Sequence, residues 1–325
     1  MDLVQSYRED LALIRTWAAR VPVAVLLGAI VLLPRFGSDY ATYIVTLISI
    51  YAIGILGQTL LIGYTGQISF GQAGFLAIGA FTLAHLVRGG VPFPLGLLAA
   101  GLMAALFGVL VGFPSLRLKG PYLAVATLGF GVAVYQVFSN WDVLSGGRMG
   151  IAVPPLAWGG IRKSLLMYYL NVGLAIVFTL ATYNLVSSYV GRAFIAIRDS
   201  DIAAEVMGVS LTRYKLLAFA VSSFYAGVQG GLLAQLFGHL EPQMFTISET
   251  ITLLVGVVVG GLASVEGPLF GAAFAVLVPQ VFSGYRELVP AVFGTAILLV
   301  MIFEPHGLAG RWVKLRLYFS HWPFR

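Results

Sequence analysis

The sequence predicts an all-α fold: a polytopic bundle of about ten transmembrane helices with both termini cytoplasmic. Three observations predict it. First, 59% of the 325 residues are hydrophobic and only 10% are charged, against about 25% charged in a typical soluble domain. A globule of this size cannot keep that much apolar side chain from water, so a soluble enzyme is excluded. Disorder needs low hydrophobicity and high charge, and a disulfide scaffold needs Cys, of which there is none. Second, apolar runs near the length that crosses hydrocarbon, about 20 residues, recur along the chain. Third, the 39 glycines exceed the average of about 7% and suit helices that approach closely.

The runs fall at 14–33, 41–62, 72–87, 92–113, 121–139, 165–190, 216–239, 249–265, 268–284 and 288–304. In the first, Arg15 and Arg20 leave a clean core of Val21 to Leu33, and these arginines snorkel towards headgroups. Arg8, Arg15 and Arg20 before an apolar run also resemble a secretory signal. No small-residue cleavage site follows Leu33-Pro34-Arg35, so the run counts as mature structure. The chain then reads as one integral membrane domain over 1–325, with a cytoplasmic segment at 191–215 and an extracytoplasmic loop at 140–164.

With the N-terminus inside, the cytoplasmic face receives Arg8, Arg15, Arg20, Arg117, Lys119, Arg192, Arg198, Arg213, Lys215, Arg311, Lys314, Arg316 and Arg325, thirteen of the nineteen basic residues. The opposite orientation would reverse the positive-inside bias. The net charge of +6 is thus an orientation signal. Basic residues form no Lys/Arg-rich cluster, so no nucleic-acid partner is expected. The tail from Arg311 to Arg325, interleaved with Trp312, Tyr318, Phe319 and Trp322, reads as a segment on anionic membrane lipid.

A Lys, Arg or Asp at the centre of a span costs about 2.5–3.5 kcal/mol and usually marks function. None lies there. Glu249, Glu266, Glu304, His85 and His239 fall at span ends, where water or headgroups solvate them, and this weakens a proton-driven carrier. The pairs Gly101/Ala105, Gly108/Gly112, Gly227/Gly231, Gly256/Gly260 and Gly267/Gly271 put two small residues one turn apart, which is packing. The stretch Gly63 to Gly74 is too polar and glycine-rich to open a lipid-facing helix. It is either a plain cytoplasmic turn or a broken helix beside a translocation path, with Gly66, Gln67, Ser69 and Gln72 along the route. Gln136, Asn140 and Gln229 are further uncharged candidates.

Between residues 191 and 210 a short helix is expected, capped by Ser200 or Asp201 and ended by Gly208 in the left-handed conformation. Asp199, Asp201 and Glu205 suit the helix dipole. Phe194, Ile195, Ile202, Val206 and Met207 give the segment apolar surface, fit either for docking a soluble partner or for an interfacial helix without one. Chemistry is excluded more firmly. No lysine follows a glycine, so there is no phosphate-binding loop, and neither a zinc-protease motif, a serine-hydrolase elbow nor a metal cluster occurs.

Five phrases carry a resemblance: GYTGQISFGQAGFLAIGAF (63–81), GFPSLRLKGPYLAVATLGFG (112–131), LSGGRMGI (144–151), GRAFIAIRDSDIAAEVMGV (191–209) and EPHGLAG (304–310). Together they resemble the permease subunits of ATP-binding-cassette importers for branched-chain amino acids, in particular the type with the longer outer loop. The resemblance implies a bacterial inner-membrane bundle paired with a homologous second permease. It further implies two cytoplasmic ATPase subunits, which bind ATP and Mg while this chain holds no cofactor, and an extracytoplasmic substrate-binding protein. It makes the 191–208 segment the ATPase-coupling site, carried by Arg192, Arg198, Asp199, Asp201, Ala203, Ala204, Glu205 and Gly208. The family's E-A-A-x-x-x-G core is matched at Ala203, Ala204 and Gly208, whereas Ile202 stands at the Glu position with Asp201 one residue earlier. No residue of the chain would be catalytic. Urea, short amides or another small organic solute as cargo, a stand-alone secondary transporter and a non-transport scaffold remain as alternatives.

Overall fold

The computed structural model describes residues 33–35, 38–115, 118, 120–156, 162–304 and 307–320. The expected first span at 14–33, except its last residue, and the end of the basic tail, 321–325, lie outside these. Twelve helices organise the described residues: α1 (Asp39–Thr59), α2 (Gln72–Arg88), α3 (Phe93–Ser115), α4 (Pro121–Asn140), α5 (Lys163–Ser187), α6 (Tyr189–Asp199), α7 (Asp201–Val206), α8 (Leu211–Phe237), α9 (Ile247–Gly260), α10 (Gly267–Val281), α11 (Val289–Phe303) and α12 (Gly307–Ser320). Single turns at Asp142–Ser145, Gly147–Met149, Pro242–Phe245 and Arg286–Leu288 link them. Local signals set several starts. Ser38 Oγ accepts the Ala41 amide at 3.2 Å to cap α1, and a proline opens α4 and lies in the first turn of α10 and α11, where its missing N–H costs nothing.

Helix α8 occupies the centre, packed against α1, α2 and α3. The core between them holds Ile50, Ile53, Leu56, Phe75, Leu76, Phe81, Phe219 and Leu232, all buried. Close approach is what the small residues achieve. A side chain at Gly227 of α8 would collide with Ala104 of α3, while Gly79 of α2 lies directly against the Gly227 backbone. Helices α9 and α10 meet likewise, through Gly256 and Gly271, and pack together on α1. Helices α3, α4 and α5 keep most of their surface free, with Leu95, Leu98, Leu102, Leu106 and Leu110 of α3 exposed.

The connections gather at two ends, about 40 Å apart by the length of α8. At one end β1 (Ile151–Ala152) pairs antiparallel with β2 (His239–Leu240), Ile151 opposite Leu240. Residues 141–156 there are tied to the bundle by His239 Nε2 on the Met149 carbonyl (2.9 Å), by His85 Nε2 on the Leu144 carbonyl and by Gln235 Nε2 on the Pro154 carbonyl (3.1 Å). Both expected end-of-span histidines thus anchor this loop. The other end carries α6 and α7.

The described residues support fewer spans than ten. Nine of the ten expected runs have a helical counterpart, but five helices among the described residues are long and apolar enough to cross a membrane. They lie at Asp39–Tyr64, Phe93–Pro114, Pro121–Asn140, Lys163–Ser187 and Leu211–Phe237, and a sixth is added if α11 and α12, bent by 46°, form one span. Helices α2, α9 and α10 have 17, 14 and 15 residues, hence about 21–26 Å of rise against about 30 Å of hydrocarbon. For α9 and α10 the runs look longer in sequence because apolar residues continue past the point where the backbone leaves the helix, as after α9 at Gly261 and Ala263, both with positive φ.

Candidate functional site

The segment from 188 to 209 is built by two interruptions. Helix α5 stops at Ser187, and Ser188 turns extended, its Oγ accepting the Val190 amide at 3.1 Å to start α6. Helix α6 buries Val190, Ala193, Phe194 and Ile197 and leaves Arg192 and Arg198 on its outer side. Ser200 interrupts again, its Oγ accepting the Ala203 amide at 3.3 Å to cap α7. Asp201 receives the Lys215 ammonium at 2.7 Å, which pins α7 to the first turn of α8. Ala204 is the buried contact of α7, whereas Ala203 and Glu205 are exposed, and Ile202, Val206 and Met207 stand 74%, 81% and 83% exposed.

At its far end the Val209 amide donates to the Ala204 carbonyl (2.9 Å) and the Gly208 amide to the Glu205 carbonyl (3.0 Å), with Gly208 at φ +84°. This is the left-handed cap expected there. The structure therefore has the cap, the stop and the apolar surface where the residues predict them. It adds one choice that the sequence left open: Ser200, not Asp201, is the cap, which frees Asp201 for Lys215.

The second unit is the stretch after α1. The helical ladder loosens into a π-helical turn at Leu60–Tyr64, and a non-helical connection follows until Gln72. Its backbone is satisfied by side chains from elsewhere, as buried irregular backbone must be. Arg198 Nη1 donates to the Gly63 carbonyl at 3.1 Å. The Phe70 amide donates to Thr127 Oγ1 of α4 at 3.0 Å, and the Ala73 amide to Thr250 Oγ1 of α9 at 3.0 Å. Gly66, at φ +69°, lies against Arg198: a Cβ placed on it would be 3.3 Å from Arg198 Cγ and 3.8 Å from Arg198 Cβ. Both Nε and Nη2 of Arg198 also reach Asp199 Oδ1 at 3.1 Å. A cavity of about 340 Å³ opens at this junction, lined among others by Thr65, Gln67, Leu118, Arg198, Asp201 and Lys215.

The residues expected along a path divide into two sets. Gln67, Ser69, Gln72 and Gln229 are buried within the chain. Gln67 Nε2 donates to Thr65 Oγ1 (2.9 Å), Ser69 Oγ accepts the Gly71 amide (3.3 Å), Gln72 Nε2 donates to Ser222 Oγ (3.2 Å), and the Gln229 amide group fills the space beside Gly54. Gln136 and Asn140 instead lie on the exposed face of α4, Asn140 Nδ2 donating to the Gln136 carbonyl at 2.8 Å. The structure thus brings Gly66 and Gln67 to the junction with α6 and α7 and leaves Gln136 and Asn140 more than two helical turns along α4 from Thr127. Sequence reasoning missed Thr127 and Thr250, because a threonine in an apolar helix gives no signal when its partner is 57 or 177 residues away, and it counted Lys215 only as an orientation charge. Among the described residues no three His, Asp or Glu side chains gather where they could hold a metal ion.

The comparisons with known proteins agree on one family. Residues 40–304 match the family model described as the branched-chain amino acid transport system / permease component. The chain is 35% identical to the high-affinity branched-chain amino acid transport system permease protein LivM of Escherichia coli (strain K12), covering 82% of this chain and 69% of that protein. It is 23% identical to the permease protein LivH of Salmonella typhimurium, over 82% and 93%. With the probable permease protein LivM of Methanocaldococcus jannaschii it shares 23% identity over 65% and 68%. No solved structure matches the chain.

Proposed function

The chain belongs to the family of branched-chain amino acid transport permeases, and from that premise we propose that it is a transmembrane permease subunit of an ATP-driven importer for branched-chain or other neutral amino acids. The observation that carries the reading is α7, a capped helix at one end of a membrane bundle with Ile202, Val206 and Met207 left bare. Such a surface suits a soluble partner, and the partner is a pair of ATPase subunits that hold ATP and Mg, since this chain has no phosphate-binding loop. A relative named as LivM and another named as LivH in the same transport system support pairing with a homologous second permease. A substrate-binding protein delivers the amino acid from outside, and the complex lies in the bacterial inner membrane with α7 facing the cytoplasm.

The mechanism follows from state-dependent affinity. ATP binding closes the ATPase pair, which prefers one position of α7. The bundle then shifts between outward-open and inward-open arrangements only by as much as that preference differs between them. This chain contributes no bond-making step. The test is purification from native membranes followed by uptake in proteoliposomes. Co-elution with two ATPase subunits and a related permease, with leucine uptake that stops when the ATPases are inactivated, is the expected result. Uptake that persists without hydrolysis would overturn the reading.

A further inference from the structure

We propose that Arg198 is the positioning residue that ties the coupling segment to the stretch at Gly63–Gly71, so that a displacement delivered to α7 reaches α4 and α9 through that stretch. This rests on the reading of α7 as the ATPase-docking helix and extends it inward. Helix α7 is held to the bundle at its start, by the Ser200 cap and by Asp201 on Lys215. One turn before that start, Arg198, on the exposed side of α6, reaches with Nη1 to the Gly63 carbonyl and with two nitrogens to Asp199. Its Cα and Cβ also form the wall against which Gly66 rests.

The stretch it grips starts in the π-helical turn at Leu60–Tyr64, where the hydrogen-bond register is shifted and re-pairing is least costly, and is non-helical from Thr65 to Gly71. It is tethered by Arg198 of α6 and Thr127 of α4, and Thr250 of α9 accepts the Ala73 amide in the first turn of α2, directly after it. A push on α6 and α7 therefore meets a segment that moves as a short strap, and the strap pulls on Thr127 and, through the start of α2, on Thr250. Docking alone would not need the bond from Arg198 Nη1 to the Gly63 carbonyl.

The chain contains no Cys, which permits a direct test. A Cβ on Gly66 lies 3.8 Å from the Arg198 Cβ, inside the range of about 3.5–4.5 Å that a disulfide requires. Three forms of the assembled complex are reconstituted in proteoliposomes: Arg198→Met, the pair Gly66→Cys/Arg198→Cys, and the native chain. In Arg198→Met the ATPases stay bound and hydrolysis continues, while leucine uptake per ATP falls about tenfold or more, the scale of one lost hydrogen bond to a charged group. The reduced Cys pair behaves the same; its oxidation restores coupled uptake, and dithiothreitol removes it again.

Native stoichiometry in Arg198→Met overturns the proposal. So does release of the ATPases from that variant, which would make Arg198 a docking residue. A pair that oxidises without recovering uptake, or that fails to oxidise at all, counts equally against it. The underlying reading fails separately: a native complex that takes up leucine without hydrolysis sinks the ATP-driven permease whatever Arg198 does.

Discussion

Gly66, Gly208, Thr127 and Thr250 each fix the backbone of α7, of the non-helical stretch before α2 or of the start of α2. Gly208 has φ +84° and open space around the position of a Cβ, so what it supplies is backbone conformation, not room. A residue with a β-branched side chain in that conformation costs about 1–2 kcal/mol, whereas Asn visits it readily. Gly208→Asn is therefore expected to keep native ATPase coupling, and Gly208→Val to unwind the last turn of α7 and lower coupled uptake about tenfold. Equal activity of the two variants would show that the cap conformation is irrelevant. Gly66 differs, since its positive φ is joined by contact with Arg198. Thr127 and Thr250 act through their hydroxyl oxygens, Thr127 accepting the Phe70 amide of the non-helical stretch and Thr250 the Ala73 amide in the first turn of α2, which has no intrahelical acceptor. Thr127→Val preserves the shape of the side chain but leaves the Phe70 amide unpaired at a cost of about 1–3 kcal/mol. Lower thermal stability, with the assembled complex still recoverable, is the expected outcome of a melting measurement.

At the scale of elements, legibility followed the range of the interaction. Helix α7 was readable nearly to the residue because its signals are local: Ser200 three residues before the Ala203 amide, Gly208 just past the last turn. The break after α1 was readable as polar, glycine-rich sequence within apolar surroundings. Its attachment to Arg198 was not, because 135 residues separate donor and acceptor. The lengths of α9 and α10 were misread for a related reason. Hydropathy continues through Gly261 and beyond, while the helix is ended by backbone geometry that apolarity does not report. The surface of α7 leads to a further expectation. Burying a large apolar side chain contributes about 1.5–3 kcal/mol, so Ile202→Asp or Met207→Asp should weaken ATPase binding at least tenfold. Pull-down of the ATPases from detergent-solubilised membranes measures this, and undiminished capture with both variants would remove α7 from the docking surface.

Over the whole molecule, the faces left free by the bundle are of two kinds. The outer side of α3 is Leu95, Leu98, Leu102, Leu106 and Leu110, which hydrocarbon covers without cost. The outer side of α4 repeats Tyr122, Ala126, Gly129, Ala133, Gln136 and Asn140 at intervals of three and four residues, a single helical face. Lipid cannot satisfy the Gln136 side-chain amide, and leaving such a group without a partner costs a few kcal/mol. The small residues beside it permit another backbone to come close. The α4 face is accordingly expected to meet water and the second permease, with α3 meeting lipid. Because the chain has no Cys, single cysteines report on each face without background from this subunit. A thiol reacts as the thiolate, which needs a polar setting. In the assembled complex, Gln136→Cys and Gly129→Cys should therefore be modified by a charged, membrane-impermeant thiol reagent, at a rate that changes when ATP is trapped on the ATPases. Leu102→Cys and Leu106→Cys should stay unmodified in both states. If Gln136→Cys proves as inert as Leu106→Cys, α4 faces lipid, and the path must instead run past the buried glutamines Gln72 and Gln229 inside the subunit.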